Sequence, residues 1–268
     1  YYLPSSTQWS AAGLAAVWAE ENTRDALFDA MQRKETYSTS GPRMAVRFFG
    51  GWGYPADLLQ EEDWISRARQ DGVPMGGELS GRDGKSPTFA LWAMRDPDGA
   101  NLDRIQVVKG WVDEAGVSQE RIYDVAWSDG RKPAGPKGEV VKVVTTDGVH
   151  ISTEYRTVPP GKLPPVGNTV DVKNATYTNS IGDNMLSATW TDPDFDPSEH
   201  AVYYVRVIEI PTPRWSTYDA KAKGIEPLGM VPATIQERAW SSPIWYTPDP
   251  SLVEKAVSYP GLRDYLPE

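Results

Sequence analysis

Few side chains in this sequence combine the type and the spacing that chemistry needs. The richest run is Asp192-Pro-Asp-Phe-Asp-Pro197, in which Asp192, Asp194 and Asp196 alternate. Alternating carboxylates are the hard oxygen donors of a calcium loop. Against that, Pro193 and Pro197 stand where such loops turn on glycine, and no glutamate occupies the twelfth place. Asp-Pro pairs also initiate turns unaided, so a weak calcium site and a structural turn are both open here. His150 and His200 are the only histidines, and neither has a helical i, i+4 histidine partner, so they build no zincin-type centre. The absence of cysteine removes disulfides, thiolate zinc sites and a cysteine nucleophile. There is no G-x-S-x-G elbow, and the glycine pairs at 50–51 and 76–77 lack phosphate-loop spacing.

A second group lies near the start. Glu20 and Glu21 close the apolar segment Leu14–Trp18. A carboxylate at the C-terminal end of a strand is where an α/β barrel carries its site; the alternative is that the pair favours the positive end of the helix that follows. That helix is expected over Thr23–Lys34, with Asn22 as N-cap, Asp25 in the capping-box place, and Ala26, Leu27, Ala30 and Met31 as its apolar stripe. Strands are expected at Thr36–Thr39 and Arg43–Phe49, so the opening follows βαβ grammar.

Beyond Gly50-Gly51 the grammar changes. One short helix fits Glu61–Gln70. Short β segments then follow at Thr88–Met94, Arg104–Trp111, Arg121–Trp127, Glu139–Thr145, Thr169–Val172, Met185–Trp190 and Val202–Ile210, separated by Asp-, Gly- and Pro-rich turns. That pattern predicts an antiparallel sandwich. Pro159–Pro165 reads as a surface loop and Ser251–Val257 as a short helix. The division is an α/β opening over 1–50, a β-rich domain over 51–250 and a tail over 251–268, an α+β chain.

The 268 residues carry a net charge of −10, which argues against a nucleic-acid partner because phosphate contact relies on clustered Lys and Arg. No apolar run approaches twenty residues, so no transmembrane helix is expected. The chain opens on Tyr1 with neither a basic region nor an apolar signal core, and is expected to be a processed or partial product. Eleven tryptophans exceed ordinary usage; Trp111, Trp127, Trp190 and Trp215 serve either the core or an exposed platform for a carbohydrate or protein partner.

Several blocks carry a resemblance: Gly13–Met44 (GLAAVWAEENTRDALFDAMQRKETYSTSGPRM) with RFFGGW after it, RIQVVKGWVD at 104–113, IYDVAWS at 122–128, the run from Asp192 to Asp219, and VPATIQERAWSSPIWY at 231–246. In order and spacing the chain resembles the bacterial family called domain of unknown function 3604, allied to the polymerase and histidinol phosphatase (PHP) superfamily of metal-dependent hydrolases. The resemblance implies that the chain holds the terminal βαβ elements of a PHP-like barrel, followed by a mainly antiparallel β-sandwich-like domain. Such barrels hold divalent ions (Zn, Mn or Fe) on His-x-His and Asp-x-His motifs. Neither motif occurs here, so the metal ligands are expected upstream, in an N-terminal half of the same protein that acts as its partner. Glu21 and Arg24, with Arg43, are the expected substrate-binding wall, an arginine there clamping a phosphate or carboxylate; an internal ion pair is the alternative. A periplasmic or secreted location is also implied.

Overall fold

The computed structural model describes residues 12–81, 85–113, 115–146 and 151–250. In chain order its elements are β1 (Leu14–Val17), α1 (Arg24–Gln32), β2 (Thr36–Thr39), β3 (Ala45–Gly51), α2 (Trp64–Gln70), β4 (Gly72–Pro74), β5 (Glu78–Ser80), β6 (Thr88–Met94), β7 (Leu102–Val112), β8 (Ser118–Trp127), β9 (Glu139–Thr146), β10 (Ile151–Val158), β11 (Met185–Thr191), β12 (Ala201–Glu209), β13 (Thr212–Pro213), α3 (Trp215–Lys223), β14 (Thr234–Ile235), β15 (Arg238–Ser241) and β16 (Ile244–Thr247).

Strand β12 organises the larger sheet. Its sequence AVYYVRVIE alternates strictly, so Ala201, Tyr203, Val205 and Val207 are buried while the residues between them are half-buried on the other face. Along one side it pairs antiparallel with β7, and β7 with β8. Along the other it meets β16 at Ala201–Tyr203 and β15 at Arg206–Ile208. From β15 the sheet continues to β2 and β1, and from β16 to β5, its only parallel pair among the described residues. The smaller sheet has the order β11-β6-β3-β4, all antiparallel. The two sheets face each other across one core: Val46, Phe48, Phe89 and Leu91 from the smaller sheet meet Ile105, Val207, Tyr203 and Ile244 from the larger. On the far side of the smaller sheet Phe49 and Ala90 pack with Tyr54, Leu58 and Ala68, so α2 forms a third layer. The chain is thus β-rich with antiparallel sheets and few helices, as the spacing of its apolar segments leads one to expect.

The opening differs from a parallel βαβ unit. β1 and β2 pair antiparallel across α1, and β3 leaves for the other sheet. The reason lies in burial. A strand of a parallel sheet is covered on both faces, whereas β1 is exposed at Leu14 and Ala15 and only half-buried beyond. Helix α1 buries only Ala30 completely, leaving Phe28 and Met31 on the surface. Its N-cap is Thr23 rather than Asn22: the Thr23 hydroxyl accepts the Ala26 N–H at 3.4 Å. Residues 169–172 form a turn instead of a strand, in which the Asp171 carboxylate accepts the Asn174 N–H at 3.0 Å. Residues 251–257 and His150 lie outside the described residues.

The α2 layer depends on a close approach. The Tyr54 hydroxyl donates to the Ala68 carbonyl at 2.6 Å and the Gly50 carbonyl at 3.1 Å. A Cβ on Gly72 would overlap both that hydroxyl and the Gly50 carbonyl, which is backbone and has nowhere to go. Gly72→Ala is therefore expected to destabilise the protein by about 2–4 kcal/mol, and Tyr54→Phe by about 1–2 kcal/mol through the lost donor. Urea unfolding of the two variants measures both; equal, near-zero effects would contradict the packing described.

Candidate functional site

Glu20, Glu21, Asn22 and Arg24 lie in the link from β1 to α1 and at the start of the helix, all exposed. The Thr23 hydroxyl donates to the Glu21 carboxylate at 3.1 Å. Glu21 lines a recess with Glu20, Asp25, Asp29 and Arg33, whereas Arg24 lines a different one beside Leu27, Phe28 and Met31. Arg43 belongs to neither. Its guanidinium pairs with Asp96 at 3.3 Å and Asp98 at 2.7 Å, and its backbone N–H donates to Asp96 at 2.7 Å. Burial alone would raise the Asp96 carboxyl, but the Arg43 N–H and guanidinium outweigh it and hold the group below its usual range. Arg43 thus fastens the Asp96–Gly99 turn to the start of β3. The structure does not bring Glu21, Arg24 and Arg43 together into one wall.

The alternating aspartates resolve as a turn with an internal cation. Asp192 is buried, and its Oδ2 accepts from Lys109 Nζ at 2.7 Å and from the Tyr203 hydroxyl at 2.8 Å. Its Oδ1 accepts the Asp194 N–H at 2.9 Å. Lys109 also donates to the Asp194 carbonyl at 2.7 Å, while the Asp194 carboxylate meets Arg121 at 2.6 Å and the Tyr123 hydroxyl at 2.8 Å. Asp196 accepts the N–H and hydroxyl of Ser198 at 2.8 and 2.6 Å. The positive charge that a calcium ion would supply comes from the Lys109 ammonium, so the calcium reading of Asp192, Asp194 and Asp196 gives way to the structural one. No group of three metal-ligating side chains occurs among the described residues. Burial, then the Asp192 charge, pushes the Tyr203 phenol up, and the Arg121 and Tyr123 hydrogen bonds hold the Asp194 carboxyl down. The readable signal was a lysine at an inward position of an apolar strand, which is seldom buried without a partner.

The arrangement best suited to a ligand was not visible from spacing. Trp18, Ala19, Glu20, Arg33, Glu35, Arg47, Ile65 and Arg69 line a cleft of about 440 Å³ where β1, β3, α2 and the α1–β2 link converge. At its base Glu35 is 1% exposed. One carboxylate serves three guanidinium groups: Arg69 at 2.5 Å, Arg47 at 3.6 Å and Arg33 at 3.8 Å. Arg47 lies over the Trp18 ring, 3.4 Å from its centroid. The Trp18 indole N–H donates to the Val46 carbonyl at 2.7 Å, which fixes the ring. Burial, and the neighbouring Arg69 charge, lower the Arg47 pKa, with Glu35 opposing. Such a cleft can hold an anion by charge-assisted hydrogen bonds.

The four tryptophans are half-buried. Trp111 and Trp190 pack against the core, the Trp127 indole donates to the Arg131 carbonyl at 2.5 Å, and Trp215 meets the Arg214 guanidinium at 5.0 Å. A further buried acid, Glu209 at the end of β12, has no hydrogen-bond partner at Oε1. Burial, then Glu237 and Asp96, push its carboxyl up to about 8.

The family model described as protein of unknown function (DUF3604) matches residues 2–153 and 135–248. No curated protein and no solved structure gives a significant match.

Two expectations follow. Asp192→Ala leaves Lys109 buried and unpaired, so it should cost about 3–5 kcal/mol in denaturant unfolding, while added calcium leaves the wild-type melting temperature unchanged. For Glu209, between about 4.5 and about 8 the folded chain keeps a proton that the unfolded chain has lost, so its contribution makes stability fall as pH rises through that window. Glu209→Gln removes that slope. The variant's melting temperature relative to wild type should therefore rise from pH 5 to pH 8.5; a pH-independent difference would contradict the burial of an uncompensated acid.

Proposed function

The chain belongs to the DUF3604 family, and we propose that it is the β-rich C-terminal portion of a PHP-like metal-dependent hydrolase of the phosphoesterase or esterase class. In this reading it is the scaffold and one wall of the substrate site. The divalent ions (Zn, Mn or Fe) would be held by residues of an N-terminal half outside this chain; their chemistry is the activation of water and the stabilisation of charge developing on oxygen. In this reading what the described residues contribute is positioning. A periplasmic or secreted location goes with this reading.

The observation that supports it is the apolar face of α1. Phe28 and Met31, one turn apart on α1, are 56% and 54% exposed and line one recess with Leu27. A clustered apolar face of this kind marks an interaction surface, and the loop carrying Glu20, Glu21 and Arg24 adjoins it. The metal-bearing half seats there, bringing the cleft to the edge of the ion site.

A second reading is a non-catalytic module that binds a carbohydrate or protein partner. It has its own observation: a groove of about 420 Å³ lined by Trp111, Trp245 and Tyr246, with His200 and Gln119 among its polar groups.

The test is a longer natural form of the protein that includes the upstream half. It is expected to purify with divalent metal and to hydrolyse generic phosphodiester or ester substrates, and Phe28→Glu with Met31→Glu should loosen the halves to limited proteolysis and lower turnover at least tenfold. A well-folded, metal-free preparation, or unaltered turnover in the double variant, contradicts the reading. Glycan binding by this chain that is lost in Trp245→Ala would favour the second reading.

A further inference from the structure

We infer that the cleft between β1, β3 and α2 is a phosphate site, taking inorganic phosphate or the phosphate group of a monoester. For its role in turnover this rests on the reading above; the binding itself is a property of residues in this chain.

The argument begins with unmet donors. The Arg47 side chain is only 16% exposed. Its guanidinium makes no hydrogen bond to another described residue; its contacts are the Trp18 ring at 3.4 Å and Glu35 at 3.6 Å, beyond hydrogen-bond range. A guanidinium carries five N–H donors, and donors as shielded from water as those of Arg47 are costly when idle. The Arg33 guanidinium, 3.8 Å from Glu35, also makes no side-chain hydrogen bond to another described residue, but at 45% exposure its donors remain open to water. Arg69 spends one donor on Glu35. Three guanidinium groups thus gather about Glu35, with Glu20 the other carboxylate of the lining, so the cleft sets three positive charges against two negative ones in a chain of net charge −10.

Geometry then selects the anion. The three guanidinium groups arrive from three separate elements: Arg47 from β3, Arg69 from α2 and Arg33 from the end of α1. The three already share the Glu35 carboxylate; a carboxylate ligand would add only two coplanar oxygens, which a single arginine fork can engage. Donors converging from several directions suit a tetrahedral group with three or more terminal oxygens. The stacked, fixed Arg47 loses little freedom on binding, since Trp18 is itself held by Val46. Glu20 also lines the cleft, and Glu21, Asp25 and Asp29 line the adjoining recess, so an anion is held on the Arg47 and Arg69 side, away from these carboxylates.

The experiment is calorimetric titration of the full chain with inorganic phosphate, and separately with acetate, at constant ionic strength set by chloride. Phosphate should bind at one saturable site, at least tenfold more tightly than acetate. Arg33→Gln and Arg69→Gln, both on partly exposed side chains, should each weaken phosphate binding about tenfold, while Arg43→Gln, outside the cleft, leaves it unchanged. Circular dichroism establishes that each variant is folded. Absence of saturable phosphate binding, acetate binding as tight as phosphate, or wild-type affinity in both cleft variants would overturn the inference. Because no metal and no turnover enter this measurement, its failure is distinct from failure of the hydrolase reading.

Discussion

The structure turns on one buried ion pair. Asp192 follows β11 in the smaller sheet; Lys109 and Tyr203, which hold it, stand on β7 and β12 of the larger. Both charges are almost wholly withdrawn from water, at 3% and 0% side-chain exposure. Desolvating two ions costs several kcal/mol each, recovered only when every lone pair and proton has a partner. Here Lys109 reaches Asp192 and the Asp194 carbonyl and lies near the Trp111 and Tyr203 rings, while Asp192 accepts three hydrogen bonds. A one-residue slip of β7 against β12 would turn Lys109 to the other face and strand Asp192. The pair therefore acts on register as much as on stability, and it ties the two sheets together.

That fixed relation of the sheets is what the cleft needs. On β3, period-two alternation sends Val46 and Phe48 into the shared core and Phe49 beneath α2, with Arg47 on the same face as Phe49. Arg69 of α2 lies over the Phe49 ring at 6.0 Å, which brings it toward Arg47. Trp18 comes from the end of β1 in the opposite sheet and is anchored on Val46. The cleft is thus assembled from both sheets and the helical layer, and its charge arises because the fold concentrates three arginines about Glu35.

Where one face of a segment is buried, its period was legible: β12 and β7 follow from alternation and α1 from its stripe, whereas β6, covered on both faces, reads as a continuous apolar run. What alternation cannot supply is the neighbour. β1 reads as an apolar strand before a helix whichever way its partner runs, and its antiparallel pairing with β2 emerges only from how little of either is covered. Helix α3 escaped because its buried residues include Ser216, Thr217 and Ala220, which make no apolar stripe; Gly224, in the left-handed conformation at its end, was the available signal. β15 and β16 are too short for a period. The acidic run was legible as a feature and ambiguous as chemistry, since its cation lies 83 residues away. Arg33, Arg47 and Arg69 share no motif, because the site exists only as a tertiary neighbourhood.

The most direct measurement is a double-mutant cycle in denaturant unfolding, with Lys109→Met, Asp192→Leu and the pair together. If the ion pair clamps the sheets, each single variant strands a buried charge, the double variant is more stable than the sum of the two losses implies, and the coupling is at least about 2 kcal/mol. Losses that simply add would mean that Lys109 and Asp192 act independently, and that something other than this contact holds the sandwich, and with it the arginine cleft, in place.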